Sequence, residues 1–67
     1  MQYATPNQVT YIYENTLRIP DYEAVRKLTV ADASRLIREI IKIYKTHEGD
    51  VLTRNRALMN LGNTIQS

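Results

Sequence analysis

Few residues of this chain have types that could do chemistry, and most of them are charged. His47 is the one histidine; Glu48 follows it and Asp50 lies three positions on, in a polar stretch. Acid–base or nucleophilic catalysis needs groups held in mutual reach and tuned by burial or by neighbours. A lone histidine in a solvated stretch has neither. Asp32 and Glu39 are seven apart and so share a helix face. Each, however, has a cation three residues on, Arg35 and Lys42, at the spacing of a surface ion pair. Glu48 and Asp50 lack the loop spacing of an EF-hand. With no cysteine, thiolate chemistry, disulfides and every Cys/His zinc pattern are excluded. Gly49 and Gly62, the only glycines, cannot form a phosphate-cradling loop. The sequence predicts no catalytic residue, no metal and no cofactor, and hence a protein that is not an enzyme.

Binding is the class left, and two sets of residues point to it. Arg35, Arg38, Lys42 and Lys45 fall within an arc of roughly 80° when placed at about 100° per residue on a helix. Such a stripe could neutralise phosphates, joined by Arg26, Lys27, Arg54 and Arg56, with Tyr3 or Tyr11 stacking on a base. The net charge of +2 permits an anionic partner without approaching the density of a dedicated nucleic-acid arm. A charged outer face is also what any solvated helix shows. Val30, Ala31 and Asp32 would be the reading end of a helix-turn-helix, and they lack the donors that base and phosphate contacts want.

The second set is aromatic and apolar. Five tyrosines supply all the aromatic content, and tyrosine is enriched in interface anchors because it joins a rigid apolar body to a polar tip. Tyr13, Tyr22 and Tyr44 are expected to complete a small core, leaving Tyr3 and Tyr11 exposed. With Val51, Leu58, Leu61 and Ile65 of the last helix they form the predicted protein-binding set. The same four apolar residues could seat a second copy of the chain as a homodimer. A protein partner is the first expectation and nucleic acid the alternative.

These side chains require an all-α scaffold. Ala33, Leu36, Ile37, Ile40, Ile41 and Tyr44 recur at steps of three and four, which predicts a central helix over about 30–46 with Thr29 as its cap. Its apolar arc, from Ile41 to Ile43, covers roughly 160°, more than one partner helix hides. Upstream, Thr5-Pro6-Asn7-Gln8 reads as a capping box with proline in the first turn, opening a helix over about 6–17. That helix places Val9, Ile12, Tyr13, Thr16 and Leu17 inward and Tyr11 outward. Pro20 ends it and Asp21 caps a short helix over about 22–28. Gly49 suits a left-handed turn and Asp50 caps a fourth helix over about 51–61, where Gly62, Asn60 and Asn63 weaken the end. Residues 1–4 and 62–67 are expected to be loose. The expectation is a compact three-helix bundle plus a C-terminal helix in one small domain, since a chain of this length buries only about 60% of the surface its unfolded form exposes.

The phrase TPNQVTYIYENTLRI, followed by a proline-containing loop and LTVADASRLIREI, resembles a small module of phage and Gram-positive bacterial proteins. There a Thr-x-x-Gln start with a Tyr-Ile pair leads to Leu-Thr-x-x-Glu-Ala-Ser-x-Leu-Ile, in domains of unknown function of the DUF3072 kind. The resemblance spans about residues 5–41; Asp32 stands where glutamate is usual. It implies a UBA-like three-helix unit, often appended to proteins of DNA metabolism, with no established catalysis. Thr5, Gln8, Thr29, Ala33, Ser34 and Leu36, the matching positions, are mostly caps and core. An inhibitor or adaptor of a DNA-metabolism protein is the role this implies. MQYATPNQ has neither the basic start nor the apolar core of a signal peptide, and no apolar run approaches the ~20 residues of a membrane span. A cytoplasmic protein is expected, with no membrane contact.

Overall fold

The computed structural model describes residues 2–65 and contains four helices: α1 (Pro6–Asn15), α2 (Tyr22–Arg26), α3 (Val30–Thr46) and α4 (Val51–Asn63). The all-α class expected from the periodicity is the observed one.

α3 is the centre of the packing. The Thr29 side chain accepts from the Asp32 N–H at 3.1 Å, Asp32 places a carboxylate in the first turn and Lys45 a cation in the last, each charge complementing the helix dipole. Its Ala33, Leu36 and Ile40 are buried against Val9 and Ile12 of α1, Val25 of α2 and Leu58 of α4. The excess width of the apolar face is resolved at one edge only. Ile43 packs half-buried on the core, whereas Ile41 is exposed.

α1 opens with the full capping box: the Thr5 N–H donates to Gln8 Oε1 at 3.0 Å and the Gln8 N–H donates to Thr5 Oγ1 at 3.2 Å. Gln8 also reaches across, its Nε2 donating to Ser34 Oγ of α3 at 3.3 Å. The helix stops two residues earlier than its apolar spacing predicts. Thr16 is the C-cap, the Leu17 N–H bonds Glu14 O and the Arg18 N–H bonds Tyr13 O, a Schellman closure. Leu17 (φ 61°) and Arg18 (φ 57°) occupy the left-handed region without being glycine. Leu17 is therefore exposed instead of inward, because the chain must reverse before Pro20, which is buried beneath α4.

α2 is also shorter than predicted, ending at Arg26 instead of residue 28. The cause is non-local. Ala4 N–H donates to Leu28 O at 2.8 Å and Val30 N–H donates to Gln2 O at 3.1 Å, around an antiparallel bridge between Tyr3 and Thr29. Residues 28–30 are drawn out to meet 2–4, so the segment expected to be loose is tied down on its described part. At the other end, α4 runs through Gly62 to Asn63, past the predicted stop. Gly62 is buried, and a Cβ there would lie 3.1 Å from Thr16 O, 3.2 Å from Thr16 Cβ and 3.3 Å from Pro20 Cδ. The glycine that weakens the helix locally is what lets it approach the α1–α2 loop. Met1, Gln66 and Ser67, included in the expected loose ends, lie outside the described residues.

Candidate protein-docking groove

The N-terminal bridge builds a groove that no single stretch of sequence encodes. It is lined by Tyr3 and Ala4, by Pro6 and Val9 of α1, and by Tyr22, Glu23, Arg26 and Lys27 of α2 and its C-cap. Its volume is about 610 Å³. Val9 is buried and Ala4 half-buried, so they make the floor, while Tyr3 is 62% and Tyr22 45% exposed. Tyr22 is held from behind: its ring meets Tyr13 edge-on, centroids 5.1 Å apart at 82°, an arrangement that aromatic quadrupoles favour. At the rim, Arg26 Nη1 lies 3.0 Å from Glu23 Oε1, with both side chains more than half exposed. A pair so exposed contributes little. Lys27 has no carboxylate partner among the described residues.

The residues predicted to bind protein are not brought together. Tyr3 reaches the groove and Tyr11 is exposed on α1 outside it. Val51 is exposed at the start of α4. Leu58 is 1% exposed and belongs to the core, and Leu61 and Ile65 pack partly against that core. A dimer face made of Val51, Leu58, Leu61 and Ile65 is thus corrected: α4 uses its apolar side on its own bundle. Besides Val51, α4 leaves open Leu52, 84% exposed, and Met59, these two seven residues apart and so on one face.

The sequence pattern predicts Tyr22 in the core; it is instead exposed and lines the groove. Its apolar spacing with Val25 and Leu28 predicts burial, but α2 has only five residues and rests on the core through Ala24 and Val25. The other tyrosines fall nearer to expectation. Tyr13 and Tyr44 are half-buried, and Tyr44 Oη donates to Asn15 Oδ1 at 2.8 Å. Arg54, which interrupts the apolar arc of α4, lies over the Tyr44 ring at 5.0 Å from its centroid, a cation–π contact that lets its stem cover apolar surface.

The basic stripe is present as drawn from the sequence: Arg35, Arg38, Lys42 and Lys45 are all exposed on α3. Arg35 lies 3.8 Å from Asp32, as its spacing predicts. The matching pair of Glu39 with Lys42 does not form, and Arg38, Lys42 and Lys45 make no ion pair among the described residues. Around His47, half-buried at the C-cap of α3, the one perturbed group is Asp50. Hydrogen bonds from Thr53, including its N–H at 3.2 Å, hold the Asp50 carboxyl below its ordinary range, with a smaller contribution from His47. This is the signature of a helix cap. Among the described residues no three His, Cys, Asp or Glu side chains are grouped so as to hold a metal ion. No helix among them is long and apolar enough to cross a membrane.

The chain matches no family model, no curated protein and no solved structure.

Proposed function

We propose that this chain is a non-catalytic interaction module that binds another protein through the groove between Tyr3 and Tyr22. The observation that carries this reading is that two exposed tyrosine rings from distant parts of the sequence flank one groove with an apolar floor. Tyrosines of this kind anchor protein interfaces, since they bring contact area with few torsions to freeze. The groove is open, which suits a segment of polypeptide better than an engulfed small molecule. A chain without cysteine accords with a reducing, cytoplasmic setting. An inhibitor or adaptor of a DNA-metabolism protein, encoded by a phage or mobile element, accords with the size of the chain and with the resemblance over residues 5–41.

The test is selection of displayed random dodecapeptides on the immobilised protein, followed by rebinding to the Tyr22→Ser and Tyr3→Ser variants. Selected peptides should lose at least about tenfold in affinity on Tyr22→Ser, the loss expected of an interface anchor. Peptides that bind both variants as well as the parent would remove the groove from consideration.

A second reading rests on Arg38, Lys42 and Lys45, which are exposed and unpaired among the described residues. Phosphate binding along α3 would weaken steeply with salt and vanish in the Arg38→Glu, Lys42→Glu double variant. Binding through the groove would survive both changes.

A further inference from the structure

Resting on the groove as the protein contact, we infer that its occupant is an extended segment of the partner that carries acidic side chains next to an aliphatic or prolyl one. Three observations lead there. The first is main-chain geometry. Around the Tyr3–Thr29 bridge, Ala4 gives its N–H and Gln2 its C=O to residues 28–30. Alternation along an antiparallel strand sends the N–H and C=O of Tyr3 to the opposite side, where neither has a hydrogen-bond partner among the described residues. That leaves one N–H and one C=O open at Tyr3, a residue lining the groove, and main-chain groups so exposed are completed by an extended chain.

The second observation concerns shape. Exposed Tyr3 and Tyr22 line the groove together with the more buried Ala4 and Val9, and the edge contact with Tyr13 holds Tyr22 in place before anything binds. A pre-set aromatic slot favours a compact apolar side chain and lowers the ordering cost of binding. The third is charge. Arg26 and Lys27 face one carboxylate, Glu23, so the rim carries an excess positive charge, and Glu23 is already engaged by Arg26. Lys27 is left as the donor for a carboxylate of the occupant, an arrangement that selects partners by charge sign.

The experiment uses three fluorescein-labelled pools of hexapeptides in which Glu, Gln or Lys alternates with a random choice of Val, Leu, Ile and Pro. Each pool is titrated into the parent protein and the Lys27→Glu variant, with 15N–1H spectra of the labelled protein recorded at saturation. Lys27 is exposed, so its replacement leaves the core untouched. The Glu pool should bind most tightly, about two- to fivefold above the Gln pool, shifting the amides of Tyr3, Ala4, Tyr22 and Lys27. Lys27→Glu should reverse the preference toward the Lys pool. Equal binding of the three pools at the groove would overturn the acidic occupant while leaving the groove as a protein contact. Failure of all three pools to shift groove amides at millimolar concentration would overturn both.

Discussion

Gly62→Ala separates local propensity from tertiary fit. At an exposed helical position the exchange stabilises by about 1 kcal/mol, because alanine has less backbone freedom to lose. At Gly62 the new methyl would meet Thr16 O at 3.1 Å, Thr16 Cβ at 3.2 Å and Pro20 Cδ at 3.3 Å, where ordinary contacts begin at 3.4 Å. None of these atoms can swing aside, since one is a main-chain carbonyl, one a Cβ and one belongs to a proline ring. Relief requires α4 to lift by a few tenths of an ångström from the α1–α2 loop. Overpacking of a tight contact costs about 1–3 kcal/mol, so after the gain in propensity the variant should be destabilised by about 1 kcal/mol. For a chain of this size that is a fall in Tm of about 4–8 °C. Urea unfolding followed at 222 nm should show a lower midpoint, while Asn60→Ala, exposed on the same helix, should raise it slightly. A Gly62→Ala protein more stable than its parent would refute the close approach of α4 to Thr16 and Pro20.

Further outcomes follow from the same contacts. Leu58→Ala empties a fully buried site shared with α1 and α3 and should cost about 2–5 kcal/mol; an unfolding midpoint that is independent of protein concentration would separate this from loss of a dimer contact. Ala4→Pro removes the N–H that donates to Leu28 O at 2.8 Å. It should cost about 1 kcal/mol and weaken groove-selected peptides without altering protection of α3 amides in hydrogen exchange. The lowered Asp50 carboxyl stabilises α4 above the usual aspartate range, and that contribution is lost as pH falls through the lowered value, below about pH 4. Asn also caps helices, so Asp50→Asn should keep α4 at neutral pH and abolish this acid-sensitive step in its amide exchange.

How much could be read before the structure depended on the range of the interaction. Thr5, Pro6 and Gln8 act within one turn, and Thr29 and Asp32 within another, so both helix starts are visible as short strings. The burial of Ala33, Leu36 and Ile40 follows from helical spacing alone. Boundaries set by distant partners are not visible in this way. α2 stops early because residues 2–4 pull on 28–30, and α4 runs on because Gly62 finds Thr16 and Pro20. The groove shares that origin. Tyr3 was legible as exposed, but Tyr22 looked like core from its spacing with Val25 and Leu28. Nothing local reveals that the two line one slot. Leu58 shows the opposite error: an apolar arc on a short last helix fits a partner surface as well as a core, and only packing decides.

The most direct test of the groove as the interaction site is a pair of 15N–1H spectra of the labelled protein at physiological salt, one with a display-selected peptide and one with random duplex DNA. The peptide should shift Tyr3, Ala4, Val9, Tyr22 and Lys27 and leave α3 unmoved, and the DNA should shift nothing. Shifts with DNA centred on Arg35, Arg38, Lys42 and Lys45, with the groove silent to peptide, would contradict the account and move the functional surface to the basic face of α3.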